Sequence, residues 1–200
     1  MLRKNRAKKP TKEINQILIV CGGQTEKIYF DLFAKKLKNV SVKTVNTHPN
    51  CDPMGVVQKA VKEKLNYKEI WAVFDYDNDK KFNEAIEKAE DQGIKCAYSN
   101  LAFEYWFLLH YKNISRAMNE QKLKTELGKK DCLDCEYKKD KDFIEFVYQK
   151  ISSKTDTAEN RAKIIHEENE KNNNNPSDWQ SCTTVYMLSK YLREYRKATT

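Results

Sequence analysis

Ile70-Trp71-Ala72-Val73-Phe74-Asp75-Tyr76-Asp77-Asn78-Asp79 decides how this chain is read. Its apolar start, rich in β-branched and aromatic side chains, has the pattern of a strand covered on both faces, as in a parallel sheet. The strand then runs straight into acids. Residues i and i+2 of a strand project to the same side, each step rising about 3.3 Å, so Asp75 and Asp77 are expected to leave the strand end side by side. In open parallel sheets that end lines the crevice where ligands bind. Two carboxylates there repel one another unless a proton or cation intervenes. Hard divalent ions such as Mg²⁺ or Mn²⁺ take oxygen ligands of this kind. The alternative is an acidic loop whose carboxylates cap the next helix, a role that suits Asp79 ahead of Lys80.

The same alternation extends in both directions. Upstream, Gln16 to Cys21 is a short apolar strand bounded by Gly22-Gly23. Thr25 is placed to cap a helix carrying Ile28, Tyr29, Phe33 and Leu37. Val40 to Val45 is β-branched, and Asp52 opens a helix with Val56, Val57, Ala60, Val61 and Leu65 at helical spacing. Downstream, Lys80 to Asp91 is an amphipathic helix closed by Gly93. Ile94 to Tyr98 is a further strand, and Ala102 to Tyr111 an unusually apolar helix. Repeated strand–helix alternation over residues 16–111 specifies an α/β core, a parallel sheet with helices on its faces. Residues 112–200 show no comparable strand signal. Phe143, Val147 and Ile151 form one helical stripe, and Val185, Leu188, Leu192 and Tyr195 another, with a loop at Lys171 to Pro176 between them. This half is expected to be a helical extension that caps the sheet or binds a partner.

Composition narrows the function classes. No apolar run approaches the roughly 18 residues that span a bilayer, and the basic start has no apolar stretch behind it. A soluble, cytoplasmic protein without membrane association is expected. The net charge of +8 is concentrated in Arg3, Lys4, Arg6, Lys8 and Lys9; without them 32 basic side chains face 29 acidic ones. Residues 1–15 are therefore read as a basic flexible arm. Such an arm is either a solvated tail or a source of affinity for a phosphate backbone. Six cysteines without a secretory leader point to thiols rather than a disulfide framework. Cys21 and Cys96 lie in strand-like runs and are read as packing residues. Cys132-x-x-Cys135 has zinc-compatible spacing, but His48, His110 and His166 are isolated and no second pair completes a site.

Two further junctions carry candidate chemistry. In Cys21-Gly22-Gly23-Gln24-Thr25-Glu26 the glycines permit a close backbone approach, and the helix start behind them favours anions. The spacing is not that of a Walker A loop. Glu26, in the first turn, has an ordinary explanation in the helix dipole. In Ser99-Asn100-Leu101-Ala102-Phe103-Glu104-Tyr105-Trp106, the residues Phe103, Trp106 and Leu109 are expected in the core. Glu104 at the head of so apolar a helix is costly to bury alone. It either completes the acidic cluster or pairs with a basic side chain.

Taken in order, Ile17 to Cys21 with Gly23-Gln-Thr-Glu26-x-x-Tyr29-Phe30, then Phe74-Asp75-x-Asp77, then Ser99-Asn100-x-x-Phe103-Glu104-x-Trp106-x-Leu-Leu-His110, the chain resembles the RloB-like proteins. Arg161-Ala-Lys163 and Asn175-Pro176-Ser177 with Thr184-Val-Tyr186 resemble that family's C-terminal pattern, so the likeness spans about 17–197. These are Toprim-type proteins of bacterial restriction and phage-defence loci, often encoded beside an ATPase of the SMC/AAA kind. The resemblance implies a Toprim-like sheet that holds Mg²⁺ or Mn²⁺ between an Asp-x-Asp, here Asp75 and Asp77, and a glutamate after the first strand. That glutamate is absent: the family's Cys-Glu-Gly reads Cys21-Gly22-Gly23, so Gly22 stands where the general acid/base is expected. Glu26 matches a second family glutamate beyond the turn. Gly23, Thr25, Glu26 and Arg161 are expected on the substrate side, with Glu104 near the catalytic acids.

The leading expectation is thus a metal-dependent nuclease of anti-phage defence and abortive infection, acting on RNA (transfer RNA included) or DNA, and weakened by Gly22. Basic residues of the arm and of the last helix (Lys190, Arg193, Arg196, Lys197) would hold the polyanion. The alternative is a non-catalytic module that docks a partner ATPase, and self-association is allowed for. A third reading takes Phe74-Asp75-Tyr76-Asp77 as a phosphatase motif with Asp75 as nucleophile, although such motifs usually follow the first strand.

Overall fold

The computed structural model describes residues 17–35, 37–44, 52–172 and 175–199, so the basic arm, Gln16, Val45 and His48 lie outside the described residues. Four parallel strands form the sheet: β1 (Ile17–Cys21), β2 (Val40–Thr44), β3 (Glu69–Asp75) and β4 (Lys95–Asn100). A two-residue β5 (Cys182–Thr183) is added antiparallel to β4, giving the order β2-β1-β3-β4-β5. The fold is α/β, as the alternation requires. β1 is buried along its whole length, as is β3 between its end residues. That explains their unbroken apolar composition.

Helices join the strands and cover the sheet: α1 (Gln24–Ala34), α2 (Pro53–Glu63), α3 (Phe82–Asp91) and α4 (Glu104–Leu109) follow β1 to β4 in turn. β1 has β2 on one side and β3 on the other, so the chain leaves β1 in one direction through α1 and returns past it through α2. With right-handed crossovers, this reversal puts α1 and α2 on opposite faces and opens a crevice beyond the carboxyl ends of β1 and β3. α2 packs on α3, and α1 packs on α6 (Lys141–Ile151). An aromatic cluster fills the α1 side: Tyr29 lies 5.5 Å from Phe103, 5.7 Å from Phe107 and 5.4 Å from Tyr148, ring centre to ring centre. Phe103, Trp106 and Leu109 are all buried, as expected of core residues.

Local chemistry sets the helix starts, and one of them differs from expectation. Asp52 caps α2 through Gly55 N–H at 2.7 Å, and Asp140 caps α6 through Phe143 N–H at 2.9 Å. The cap of α1 is Gly23; Thr25 lies inside the helix and is buried. Asp79 accepts Lys81 N–H at 2.7 Å in the turn ahead of α3, but the cap position is Lys81 and has no side-chain cap bond, so Asp79 orders the turn and does not cap the helix.

The C-terminal half contributes α5 (Glu120–Leu127), α6, α7 (Thr155–Asn172) and α8 (Val185–Thr199), and it also returns to the sheet. β5 has no sequence signal because two residues are too few to show alternation. It is held by hydroxyls and an amide. Ser99 and Thr183 hydroxyls meet at 3.0 Å, Thr184 N–H donates to Tyr98 O at 2.8 Å, and Asn100 Nδ2 donates to Pro176 O at 2.8 Å and Trp179 O at 2.7 Å. The Ser99-Asn100 and Asn175-Pro176-Ser177 stretches, remote in sequence, are thereby joined. Among the described residues no helix is long and apolar enough to cross a membrane.

Leu101, between β4 and α4, has φ of 148°, a region L side chains rarely adopt. Strain of that kind costs about 1–3 kcal/mol. Leu101→Gly is therefore expected to unfold at a higher temperature than Leu101→Ala by thermal denaturation, by about 1 kcal/mol, against the usual penalty for glycine. The reverse order would mean that the loop relaxes freely.

Candidate functional site

The crevice at the carboxyl ends of β1 and β3 is a cavity of 650 Å³. Its wall includes Gly22, Gly23, Glu26, Asp52, Asp75, Asp77, Asp79, Glu120 and Lys139. Two carboxylates from strand–helix junctions, those of Glu26 and Asp75, line it, and the charge of a third, Glu104, acts on both. Glu26 comes from the first turn of α1, Asp75 from the last residue of β3, and Glu104 from the first residue of α4. Glu26 and Glu104 are 5% and 1% exposed, values that acids rarely reach without partners.

Gly23 makes room for Glu26. Its backbone is extended, with φ −123° and ψ 170°, so any residue could adopt it; a side chain there would displace the Glu26 carboxylate from its present place. A Cβ on Gly23 would fall 2.5 Å from Glu26 Oε2. The carboxylate is thus folded back over the helix start, as a third-position acid does in a capping box. Burial pushes the Glu26 carboxyl up to about 7; its own backbone N–H and Lys139 oppose this, while the Glu104 charge adds to it. Gly22 continues the sheet beyond β1 by donating its N–H to Val73 O at 2.8 Å. No carboxylate originates at that position.

Asp75 is the least satisfied acid. Its Oδ2 accepts Phe103 N–H at 3.1 Å, whereas Oδ1 is shielded from solvent and has no hydrogen-bond partner. Burial, and then the charges of Glu26 and Glu104, hold its carboxyl well above the usual aspartate range. Glu104 both joins the cluster and pairs with a base, so the two alternatives weighed for it hold together. Tyr137 Oη donates to Glu104 Oε1 at 3.1 Å, and Lys139 Nζ lies 3.2 Å from the same oxygen and 3.2 Å from Glu120 Oε1. Burial works against the Lys139 charge, but Glu104 and Glu120 hold its ammonium above the ordinary lysine value.

Asp77 is placed differently from the side-by-side expectation. The strand ends at Asp75, and the chain then turns, with Asp79 N–H donating to Tyr76 O at 2.7 Å and positive φ at Asp77 (40°) and Asn78 (55°). Aspartate and asparagine tolerate that conformation best after glycine. The period-two rule therefore stops one residue too early to align the pair. Asp77 still lines the cavity, exposed on its rim. Thr25 is buried beside the Tyr137 hydroxyl. Arg161 lies on α7 and donates to Leu109 O at 2.8 Å, closing the end of α4 rather than lining the cavity. Of the last-helix cations, Arg193 is committed to Asp156 and Glu159, while Lys190, Arg196 and Lys197 are exposed. Tyr137 and Lys139 went unread because Glu136 to Asp140 has the composition of a solvated polar stretch.

The donor set suits a hard cation. Magnesium-class ions are held by one or two carboxylates and keep waters for phosphate oxygens to replace, and the partnerless Asp75 Oδ1 offers such a ligand. Among the described residues no group of three or more His, Cys, Asp or Glu side chains is arranged as a ready metal cage. Elsewhere, the described cysteines are free thiols. His110 is a core residue: its Nδ1 meets Trp106 O at 2.8 Å, and burial lowers its pKa to about 4.

Fold and site together define an α/β protein with an acid-lined crevice at the switch point of its sheet. A family model described as RloB-like protein matches residues 17–192. The chain belongs to the RloB-like family. No curated protein and no solved structure matches it.

Proposed function

We propose that the crevice is a divalent-metal site for phosphodiester hydrolysis, and that the chain is a nuclease of anti-phage defence whose activity Gly22 weakens. The observation that carries this reading is the pair Glu26 and Asp75 on one cavity, under the added charge of Glu104, with Asp75 Oδ1 unpartnered. Asp75 would hold the ion, with Asp77 on the rim and Glu26 beside it. A bound Mg²⁺ or Mn²⁺ supplies Lewis-acid activation of a phosphate oxygen and of water. The chain's own residues do the rest. Burial raises the Glu26 carboxyl, which is the direction that suits a general acid or base in the metal-free site.

The test is restoration of the missing acid. Gly22→Glu, incubated with labelled RNA and DNA and Mn²⁺, is expected to cleave one of them at least 100-fold faster than the parent chain, the usual scale of a general acid/base contribution. Added chelator should abolish that activity. The absence of metal-dependent cleavage by the restored chain would overturn the enzymatic reading. Gly22 itself favours a second reading, in which the domain docks a partner ATPase. Co-elution with such an ATPase, together with no Mn²⁺ binding, would support it.

A further inference from the structure

We propose that Lys139 is a tethered counter-ion of the cavity: its ammonium occupies the electrostatic place of a divalent cation at Glu104 and is displaced when one binds. This rests on the metal-site reading above. Among the described residues lining the cavity, Lys139 is the one lysine or arginine, set against Glu26, Asp52, Asp75, Asp77, Asp79 and Glu120. Its partners differ in burial. The Glu104 side chain is 2% exposed and the Glu120 side chain 47% exposed, each 3.2 Å from Nζ. The ammonium can therefore leave Glu104 and keep an ion pair with Glu120 at the mouth.

Tyr137 Oη stays bonded to Glu104 Oε1 at 3.1 Å when the ammonium leaves, and the incoming cation replaces its charge. Lys139 lies just before Asp140, the cap of α6, and outside any helix or strand, so its stem can swing without breaking an element. Lysine suits the role, as a compact charge on a flexible four-carbon stem. With Lys139 in place the Glu104 charge is partly balanced. A divalent ion near Asp75 meets both the attraction of the acids and the repulsion of this ammonium. The Lys139 charge acts on both Asp75 and Glu26, so a second cation placed beside them is repelled by it.

Mn²⁺ titrated into the full chain and followed by the electron paramagnetic resonance of the free ion tests the proposal without any activity. Lys139→Gln is expected to bind Mn²⁺ roughly tenfold more tightly than the parent, and Lys139→Arg within about twofold of it, since arginine retains the charge. Lys139→Met, which keeps most of the stem, replaces the glutamine variant if that does not fold. Unchanged or weaker binding by the charge-removed variant, with the parent binding, overturns the counter-ion role and leaves the metal site standing. No binding by parent or variant overturns both.

Discussion

Asp75→Asn is expected to do two things at once: remove Mn²⁺ binding and raise the melting temperature in metal-free buffer. Asparagine keeps an oxygen for Phe103 N–H and puts a neutral amide beside Glu26 and Glu104, where the native chain holds a carboxyl with one partnerless oxygen. The effect depends on pH in a definite sense. A carboxyl whose native pKa lies above its unfolded value stabilises fully below the unfolded value, and that contribution is lost as pH rises through the native one. Asp75 is raised in this way, and Glu26, pushed up to about 7, behaves alike. The gain from asparagine is therefore largest near pH 8 and vanishes near pH 4. Its expected size is about 1–3 kcal/mol, or roughly 2–10 °C for a chain of this length. His110 acts in the opposite sense, because burial lowers its pKa to about 4 and folding gains as pH rises through its ordinary value of 6.5. Parent and variant share His110, so melts compared at each pH isolate Asp75. A variant that melts lower near pH 8 and still binds Mn²⁺ would make Asp75 a structural acceptor for Phe103 and nothing more.

Asn100→Ala is expected to lower stability by about 2–4 kcal/mol, seen as a melting temperature lower by roughly 5–15 °C. One buried amide ties the end of β4 to three carbonyls of the C-terminal half, those of Pro176 at 2.8 Å, Trp179 at 2.7 Å and Ser177 at 3.3 Å. Removing the donor leaves those acceptors without it. Asn100→Asp keeps the shape but cannot donate when ionised, and is expected to be at least as damaging near neutral pH. Limited proteolysis should then cut within 176–180 sooner than in the parent. If aspartate matches the parent, packing rather than hydrogen bonding holds the segment.

Parts of this molecule are written locally and others are not. β1 and the body of β3 are legible because burial on both faces forces an unbroken apolar run, and the alternation with helices follows from the parallel pairing. Asp52 is legible because a cap bonds to backbone three residues away. Asp75 and Asp77 line one cavity, but through a turn with positive φ at Asp77 and not through strand alternation, since β3 ends at Asp75.

Neighbouring residues were enough to establish the α/β alternation and the acid at the end of β3. Folding in three dimensions decided which charges share the cavity. Tyr137 and Lys139 reach Glu104 across 33 and 35 positions, and Asn100 reaches Trp179 across 79. No local pattern encodes such meetings, because they are set by how α4, α6 and the edge of the sheet pack. The energy that makes them matter, the burial of charge away from water, exists only once that packing is complete.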